Sequence, residues 1–561
     1  MSVTRPAFSP SMAPASTTPS PSRPGTPAEV VAVAWQRLSR SPYWAVAGLL
    51  VALGAVLRIR QWAYARSFWS DELYIAHNIR ERGYLDLLRP LSFSQSAPPG
   101  WLWLERFAFA QFGDGERALR LVPLLFGLAL LPLVAWLGRR LLPPLAALAA
   151  LLLVAVAPFL IGYSNELKQY SAEAFAVTLV VGLALLLVRN GPTWAGSAVF
   201  WSVAAVAAFV STLSIPVTGA LGVLLGGYAL SRRDRQWPSR WHDVGRFLAP
   251  APAWAVVALV VYVLFLAPGL ADQQLAAYWR GKSIYPAHSL TDLPATVEWL
   301  AATYRSLATV PFVAWSAWIV VPLLVLGTAA GLRRLSTVAV LVLLTPLAAG
   351  LAGAAVSVYP FNGRLALYAV PACLLLAALA VAPPPLRAGL PARIRWAVGV
   401  VLLLALAVPQ LATAVVATVH PARAFAQGGG ANAVDYRGAL RHLDDKRRPG
   451  DLVLATTVSW NAQAWYGPPA DAYVVAAGPG GCPGRTVSAL LPGRSRVWLF
   501  QATDWADAAN RDVIVRLGGS GVAVTERQFG GARVVRFDLA AGVTKGSDVC
   551  LVPPPNGAAV R

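Results

Sequence analysis

Two adjacent carboxylates, Asp71 and Glu72, sit in the segment SFWSDELYIAH (67–77), immediately after the first long apolar run of the chain. A carboxylate held beside a bilayer can take the proton from an attacking hydroxyl, a role that contributes about 10²- to 10⁴-fold to a rate. The competing reading is a helix start, with Ser70 or Asp71 as cap and an acidic first turn facing the helix dipole. A second cluster is YSNELKQYSAEAF (163–175), which places Glu166, Lys168, Tyr170 and Glu173 at the start of another apolar run. If this stretch is helical, Glu166, Tyr170 and Glu173 share one face at spacings of four and three. An ionisable side chain costs about 2.5 to 3.5 kcal/mol at the centre of a membrane helix, so such groups face a bundle interior or cavity, or else snorkel to the interface. A third, SVYPFNGRLALYAVP (357–371), brings Arg364 into a late apolar run. Arg binds phosphate bidentately, and it also serves as an interfacial anchor beside residues such as Tyr359 and Tyr368. Arg80 follows the acidic pair on the same loop. His288, in a later loop with Trp279, Arg280 and Lys282, is either a phosphate donor or metal ligand or a plain loop histidine, because a lone His without a spaced partner is a weak metal signal.

The elements that must position these groups are membrane spans. With 57% hydrophobic and 13% charged residues in 561, the chain has too little polar surface to coat a soluble globule. The net charge of +21 is gathered in short Arg clusters between apolar runs, as expected of cytoplasmic loops. Only RRDRQWPSRW (232–241) interleaves aromatic with basic residues, and it is a short loop, so no nucleic-acid partner is expected. The pattern predicts a polytopic α-helical membrane protein of about eleven transmembrane helices, near 43–60, 117–138, 142–161, 171–188, 195–212, 215–230, 249–268, 311–329, 335–357, 364–382 and 394–419. The N-terminus is then cytoplasmic and the C-terminus extracytoplasmic, in a plasma (inner) membrane.

Residues 1–42 read as a disordered Pro- and Ser-rich cytoplasmic tail. The outer loop 61–116 carries Arg66, Arg80, Arg82, Arg89 and Arg106 against the positive-inside trend. Its run PPGWLWLERFAFAQF (98–112) is too short to span and predicts an interfacial helix, and 71–88 predicts another with a weak point at Arg82 and Gly83. Residues 421–561 open on Gly428 to Gly430 and read as a small extracytoplasmic α/β domain, with helices over 435–443 and 505–517 and strands over 451–456, 496–501, 522–526 and 533–539. There Cys482 and Cys550 form either a disulfide or two thiols. GPGGCPGR (478–485) lacks the spacing of a phosphate loop and reads as turn glycines. Trp460, Trp465 and Tyr466 either stack on carbohydrate or pack internally.

The order of span, acidic pair, two interfacial helices and then GDGERALRLVPLLFGLALLPLVAWLGRRL (113–141) resembles the protein-mannosyltransferase-like branch (glycosyltransferase family 39) of the GT-C glycosyltransferases. That branch includes dolichyl-phosphate-mannose protein mannosyltransferases and bacterial lipid A aminoarabinose transferases. The resemblance covers roughly 43–420 and is strongest over 69–141. It implies a GT-C-like transmembrane catalytic module that moves a sugar, with inversion, from a polyprenyl-phosphate donor to an envelope glycan, lipid or protein acceptor. Asp71 is then the catalytic base with Glu72 as its acidic neighbour, and Arg80, Glu166, Lys168, Tyr170, Arg364 and His288 are the donor-phosphate and substrate residues. Basic groups beside the departing phosphate would stabilise its growing charge. Relatives that use a divalent cation (Mg or Mn) carry a polar pair where this chain has Ser96 and Ala97, which leaves Glu72, Gln95 and His288 as candidate ligands. Two alternatives stay open: a transporter or flippase of lipid-linked sugars, and a noncatalytic envelope assembly factor.

Overall fold

The computed structural model describes residues 42–552, except 232–236, most of 271–290, parts of 310–316 and 479–483, and 386–388, 421–433, 504–506, 519–522 and 540–548. The predicted tail, the Gly428 to Gly430 linker and His288 lie outside the described residues. By compactness the chain divides into Met1–Gly48, of which only the turns from Pro42 are described, and Leu49–Arg561.

Each of the eleven predicted segments holds a helix. Among the described residues eight are long and apolar enough to cross a membrane: Pro42–Tyr64, Leu121–Leu141, Tyr170–Asn190, Ser214–Ser231, Ser239–Leu266, Thr337–Ala355, Gly363–Val381 and Leu390–Val419. The other three segments hold Pro144–Val156, Trp194–Val210 and Ala317–Arg334. The chain is therefore a polytopic α-helical protein with a small C-terminal β-rich domain.

The helices that build the site are α1 (Pro42–Tyr64), α2 (Ser70–Glu81), α3 (Pro99–Phe112), α4 (Leu121–Leu141), α5 (Pro144–Val156), α6 (Pro158–Tyr163) and α7 (Tyr170–Asn190). Pro99, Pro144 and Pro158 open α3, α5 and α6 at the first helical turn, where a missing N–H costs nothing and the fixed φ is already helical. Pro158 also deprives the Val154 carbonyl of its helical donor. Arg58, fully buried in α1, fills that gap by donating to Val154 O at 3.1 Å and Ala155 O at 3.1 Å. The second predicted interfacial helix stops earlier than expected: α2 ends at Glu81, and a 3₁₀ turn at Asp86–Leu88 follows beyond Arg82 and Gly83.

The C-terminal domain is a six-stranded mixed sheet of order β4-β5-β3-β1-β2-β6, from β1 (Leu452–Thr456), β2 (Ala472–Ala476), β3 (Arg496–Ala502), β4 (Ala523–Phe529), β5 (Ala532–Asp538) and β6 (Val549–Val552). β1 runs parallel to β2 and β3, and the outer pairings are antiparallel. The two-residue period of the central strands sorts their side chains into two cores. Leu452, Leu454, Val497 and Leu499 face Val513 and Leu517 of the helix Asp507–Gly518. Val453, Ala455, Trp498 and Phe500 face Tyr436, Leu440 and Leu443 of the helix Tyr436–Lys446, and this second core continues into Phe68, Trp69 and Leu73 at the start of α2. Cys482 and Cys550 form a disulfide that ties the 478–485 turn to β6. β2, β6 and the helix Trp460–Tyr466 are elements that the sequence pattern does not predict.

Candidate active site

The helix α2 starts where the chain leaves α1, but neither Ser70 nor Asp71 caps it. Glu72 takes that part: its Oε2 accepts from the Trp69 N–H at 3.3 Å. Arg120, just before α4, donates from Nε to Glu72 Oε1 at 2.8 Å and from Nη2 to Oε2 at 2.6 Å, and the Leu167 N–H adds a bond to Oε1 at 2.7 Å. Burial opposes ionisation of this fully enclosed carboxyl, but Arg120 first and then Arg66 overcome it and hold its pKa below the usual range. The same Arg120 donates to the carbonyls of Arg66 at 2.6 Å and Ser67 at 3.2 Å. Glu72 and Arg120 therefore lock three segments together: the end of the α1–α2 connection, the α2 start and the 164–169 turn.

That lock leaves Asp71 free of capping duty and turned toward two cations. Its Oδ1 lies 3.0 Å from Lys168 Nζ and its Oδ2 2.9 Å from Arg364 Nη2. Burial raises its pKa, but Lys168 and Arg364 outweigh that and keep it below the ordinary carboxylate value. Lys168 also donates to Gln95 Oε1 at 2.9 Å, and burial draws its own pKa down despite Asp71. The Arg364 guanidinium stands over the rings of Trp69 at 5.4 Å and Tyr170 at 5.9 Å. Three sequence motifs far apart in the chain thus meet on one carboxylate, whose side chain is 13% exposed.

The 164–169 turn is not helical, so Glu166 does not share a helical face with Tyr170 and Glu173; only the latter two lie on α7. Glu166 instead sits beside Arg66, with Oε1 3.8 Å from Nη2, while its Oε2 has no hydrogen-bond partner among the described residues. Burial pushes its pKa up to about 7, against the pull of Arg66. The turn fits closely on α4: a Cβ at Gly127 would come within 2.4 Å of Ser164 Cβ, so only glycine lets the two backbones approach. Arg80 turns to the C-terminal domain, its guanidinium 4.2 Å from the Trp465 ring centroid and its Nη2 donating to His77 Nδ1 at 3.1 Å.

The docked domain holds the outer loop by polar contacts as well. Arg437 Nη1 donates to both oxygens of Glu116 at 2.8 Å, and its Nη2 donates to Ala65 O at 2.8 Å. The Phe68 N–H donates to Tyr466 Oη at 2.8 Å, which in turn donates to Glu116 Oε1 at 2.9 Å. Trp460 and Trp465 pack around His77, each with ring centroids 5.2 Å away. The aromatic cluster therefore serves the domain contact.

The described residues around Asp71 do not fit a divalent cation. Asp71 faces two cationic side chains, the Glu72 oxygens are taken by four donors, and no three His, Cys, Asp or Glu come together among the described residues. Arg120 and Arg58 are positioning groups that motif reading passes over, and Arg66, noted there only as one of five outer-loop arginines, is a third. The signal for Arg58 is an arginine, with Arg60, inside the predicted span 43–60, and for Arg120 a basic residue near the start of the predicted span 117–138.

No curated protein matches the chain in sequence. Among solved structures it is similar to ArnT from Cupriavidus metallidurans in the apo state, at 15% identity over 90% of this chain and 98% of that one, with a TM-score of 0.45. It is similar also to the oligosaccharyltransferase AglB from Archaeoglobus fulgidus in complex with an inhibitory peptide and a dolichol-phosphate, at 12% identity over 82% and 70% of the two chains, with a TM-score of 0.45. Residues 96–262, which take in Arg120, the 164–169 turn and α7, match the family model for dolichyl-phosphate-mannose-protein mannosyltransferase, and over that stretch the chain is similar to this family.

Proposed function

We propose that the protein is a membrane glycosyltransferase that moves a sugar from a polyprenyl-phosphate donor to an envelope glycan, lipid or protein acceptor at the extracytoplasmic face. The observation that carries this reading is the Asp71 carboxylate held between Lys168 and Arg364. Together the three side chains have a net charge of +1, a surplus suited to an anionic donor. Asp71 accepts the acceptor hydroxyl's proton while that oxygen bonds to the anomeric carbon. The bond from this carbon to the phosphate oxygen breaks, and its electron pair leaves with polyprenyl phosphate. Arg364 and Lys168 meet the charge that grows on the phosphate. A donor phosphate that draws these two cations away from Asp71 also restores the basicity they suppress in the resting site, so donor binding arms the base.

Glu72, with its oxygens fully engaged, acts as a positioning residue for Asp71, and Glu166 shapes the turn that carries Lys168. The extracytoplasmic assignment of the C-terminal domain is supported by the Cys482–Cys550 disulfide, since such bonds persist in oxidising compartments. It is supported also by Arg139, Arg140, Arg189, Arg333 and Arg334, which stand at the helix ends remote from Asp71. On this reading all eleven apolar segments cross the bilayer.

The test is the purified full-length protein in liposomes with synthetic polyprenyl-phosphate sugars and an envelope extract as acceptor source. The expected result is sugar appearing in acceptor together with released polyprenyl phosphate. Movement of the intact lipid-linked sugar across the bilayer, without its consumption, would overturn the proposal in favour of a flippase.

A further inference from the structure

At the opposite end of the helix bundle from Asp71 lies a cavity of about 360 Å³ that the proposed transfer does not use. Its walls are apolar, built from Leu142, Leu185 and Leu375 among others, whereas Arg189, Arg334 and Ser336 line the same space. The helix α7 fixes the separation. Tyr170, beside Arg364, opens α7 and Arg189 lies in its last turn, and nineteen residues at 1.5 Å each span about 28 Å, roughly the thickness of a bilayer core. α4 repeats the arrangement, with Arg120 at the Asp71 end and Leu141 on the cavity. The two sites therefore face opposite leaflets.

Both guanidinium groups are steadied by carbonyls at neighbouring helix ends. Arg189 donates to the Arg140 carbonyl, and Arg334 donates to those of Ala382, at 3.4 Å, and Pro383. Ser336 caps the helix Thr337–Ala355, with its Oγ accepting from the Ala339 N–H at 3.2 Å, so the positive end of that helix dipole adds to the same rim. A basic rim over an apolar cavity of this volume matches an amphiphile with a negative head and a hydrocarbon tail.

We propose that this cavity binds one anionic glycerophospholipid of the leaflet facing away from Asp71, with an acyl chain among the leucines and the phosphodiester between Arg189 and Arg334. A free phosphate would leave the apolar walls unused. A zwitterionic lipid would place its own cation against the two arginines. The site needs no sugar donor, so it stands or falls separately from the transferase reading.

The experiment is native mass spectrometry of the delipidated full-length protein with dioleoyl phosphatidylglycerol, dioleoyl phosphatidylcholine, farnesyl phosphate or inorganic phosphate. One bound phosphatidylglycerol is expected in preference to phosphatidylcholine. Arg189→Gln with Arg334→Gln should lower its retention roughly 25-fold, at about fivefold for each arginine near a membrane surface. Leu185→Trp, which fills the cavity without changing charge, should abolish retention, and it keeps the test decisive if the double variant does not fold. Equal retention of both phospholipids, unchanged phosphatidylglycerol binding in the Leu185→Trp protein, or tighter capture of farnesyl phosphate or inorganic phosphate that Leu185→Trp abolishes would each overturn the proposal, whereas farnesyl phosphate held equally by wild type and Leu185→Trp sits at the Asp71 site.

Discussion

Asp71→Asn removes a negative charge while keeping size, and the geometry fixes what else should change. Asparagine Oδ1 can still accept from Lys168, which now stands 3.0 Å from the carboxylate, so the α2 start stays in place. The local charge rises from +1 to +2, and the donor phosphate should bind as well as before or more tightly. What is lost is the proton acceptor, worth about 10²- to 10⁴-fold in kcat, or roughly 2.7 to 5.4 kcal/mol of transition-state stabilisation. In proteoliposomes with saturating polyprenyl-phosphate sugar, kcat should fall by that factor while KM for the donor falls or stays level. Glu72→Gln is the companion measurement, and it should behave oppositely. It strands Arg120 in a fully buried site, which costs about 3 to 5 kcal/mol of stability, so the loss appears in thermal unfolding and folded yield. A wild-type kcat in the Asp71→Asn protein, or a loss confined to KM, would refute the assignment of Asp71 as base. The pH profile gives a second reading of the same residue. Because Lys168 and Arg364 hold Asp71 below the ordinary carboxylate value, kcat/KM should stay level on the acid side until below about pH 4.

Four further outcomes follow from the structure. Glu166 titrates near 7 when folded and near 4.5 when unfolded, so between these values the folded state binds more protons. Stability should fall by about 3 kcal/mol as pH rises through that window, and Glu166→Gln should flatten the slope in thermal unfolding from pH 5 to 8. Arg58→Met leaves the Val154 and Ala155 carbonyls without their donor and should cost about 2 to 6 kcal/mol, read in the same assay. Glu105 is fully buried in α3 with neither carboxyl oxygen hydrogen-bonded among the described residues, and burial pushes its pKa well above the usual value. A neutral buried acid predicts that Glu105→Gln leaves thermal stability at pH 7 within about 0.5 kcal/mol of wild type, whereas a charged Glu105 would make the variant clearly more stable. Cys482→Ser opens a bridge across a separation of 68 residues and should destabilise the C-terminal domain by about 4 kcal/mol, seen as earlier proteolysis of that domain in the intact protein.

The apolar spans were legible in the sequence because a bilayer imposes long, nearly uncharged runs that few other environments tolerate. The strands 452–456 and 496–502 were legible from β-branched and aromatic runs between turn residues. β2 and β6 were not read as strands, β6 for want of length at four residues. The motif residues around Asp71 could be named, but not their partners. Lys168 and Arg364 meet Asp71 only through the packing of helices distant in sequence. The 164–169 turn defeats the periodicity argument because α6 ends at Tyr163, where the Ser164 and Asn165 side chains both donate to the Ile161 carbonyl. Arg120 falls inside the predicted span 117–138 without being singled out, and only its fork on Glu72 reveals its task.

The core shared by α2 and the C-terminal domain bears on when the protein becomes competent. Ser70 Oγ hydrogen-bonds Tyr436 Oη across 366 residues, and the Phe68 N–H reaches Tyr466 across 398. At translation rates of about 5 to 20 residues per second, the α2 segment waits roughly 20 to 70 s between its own synthesis and that of Tyr436. During that interval Phe68, Trp69 and Leu73 have no domain to pack against, so the helix bearing Asp71 is unfinished while the nascent chain is still being threaded into the membrane. Completion falls to the C-terminal domain, whose disulfide closes only where oxidation is permitted. Packing of the α2 start thereby waits for synthesis of the C-terminal domain.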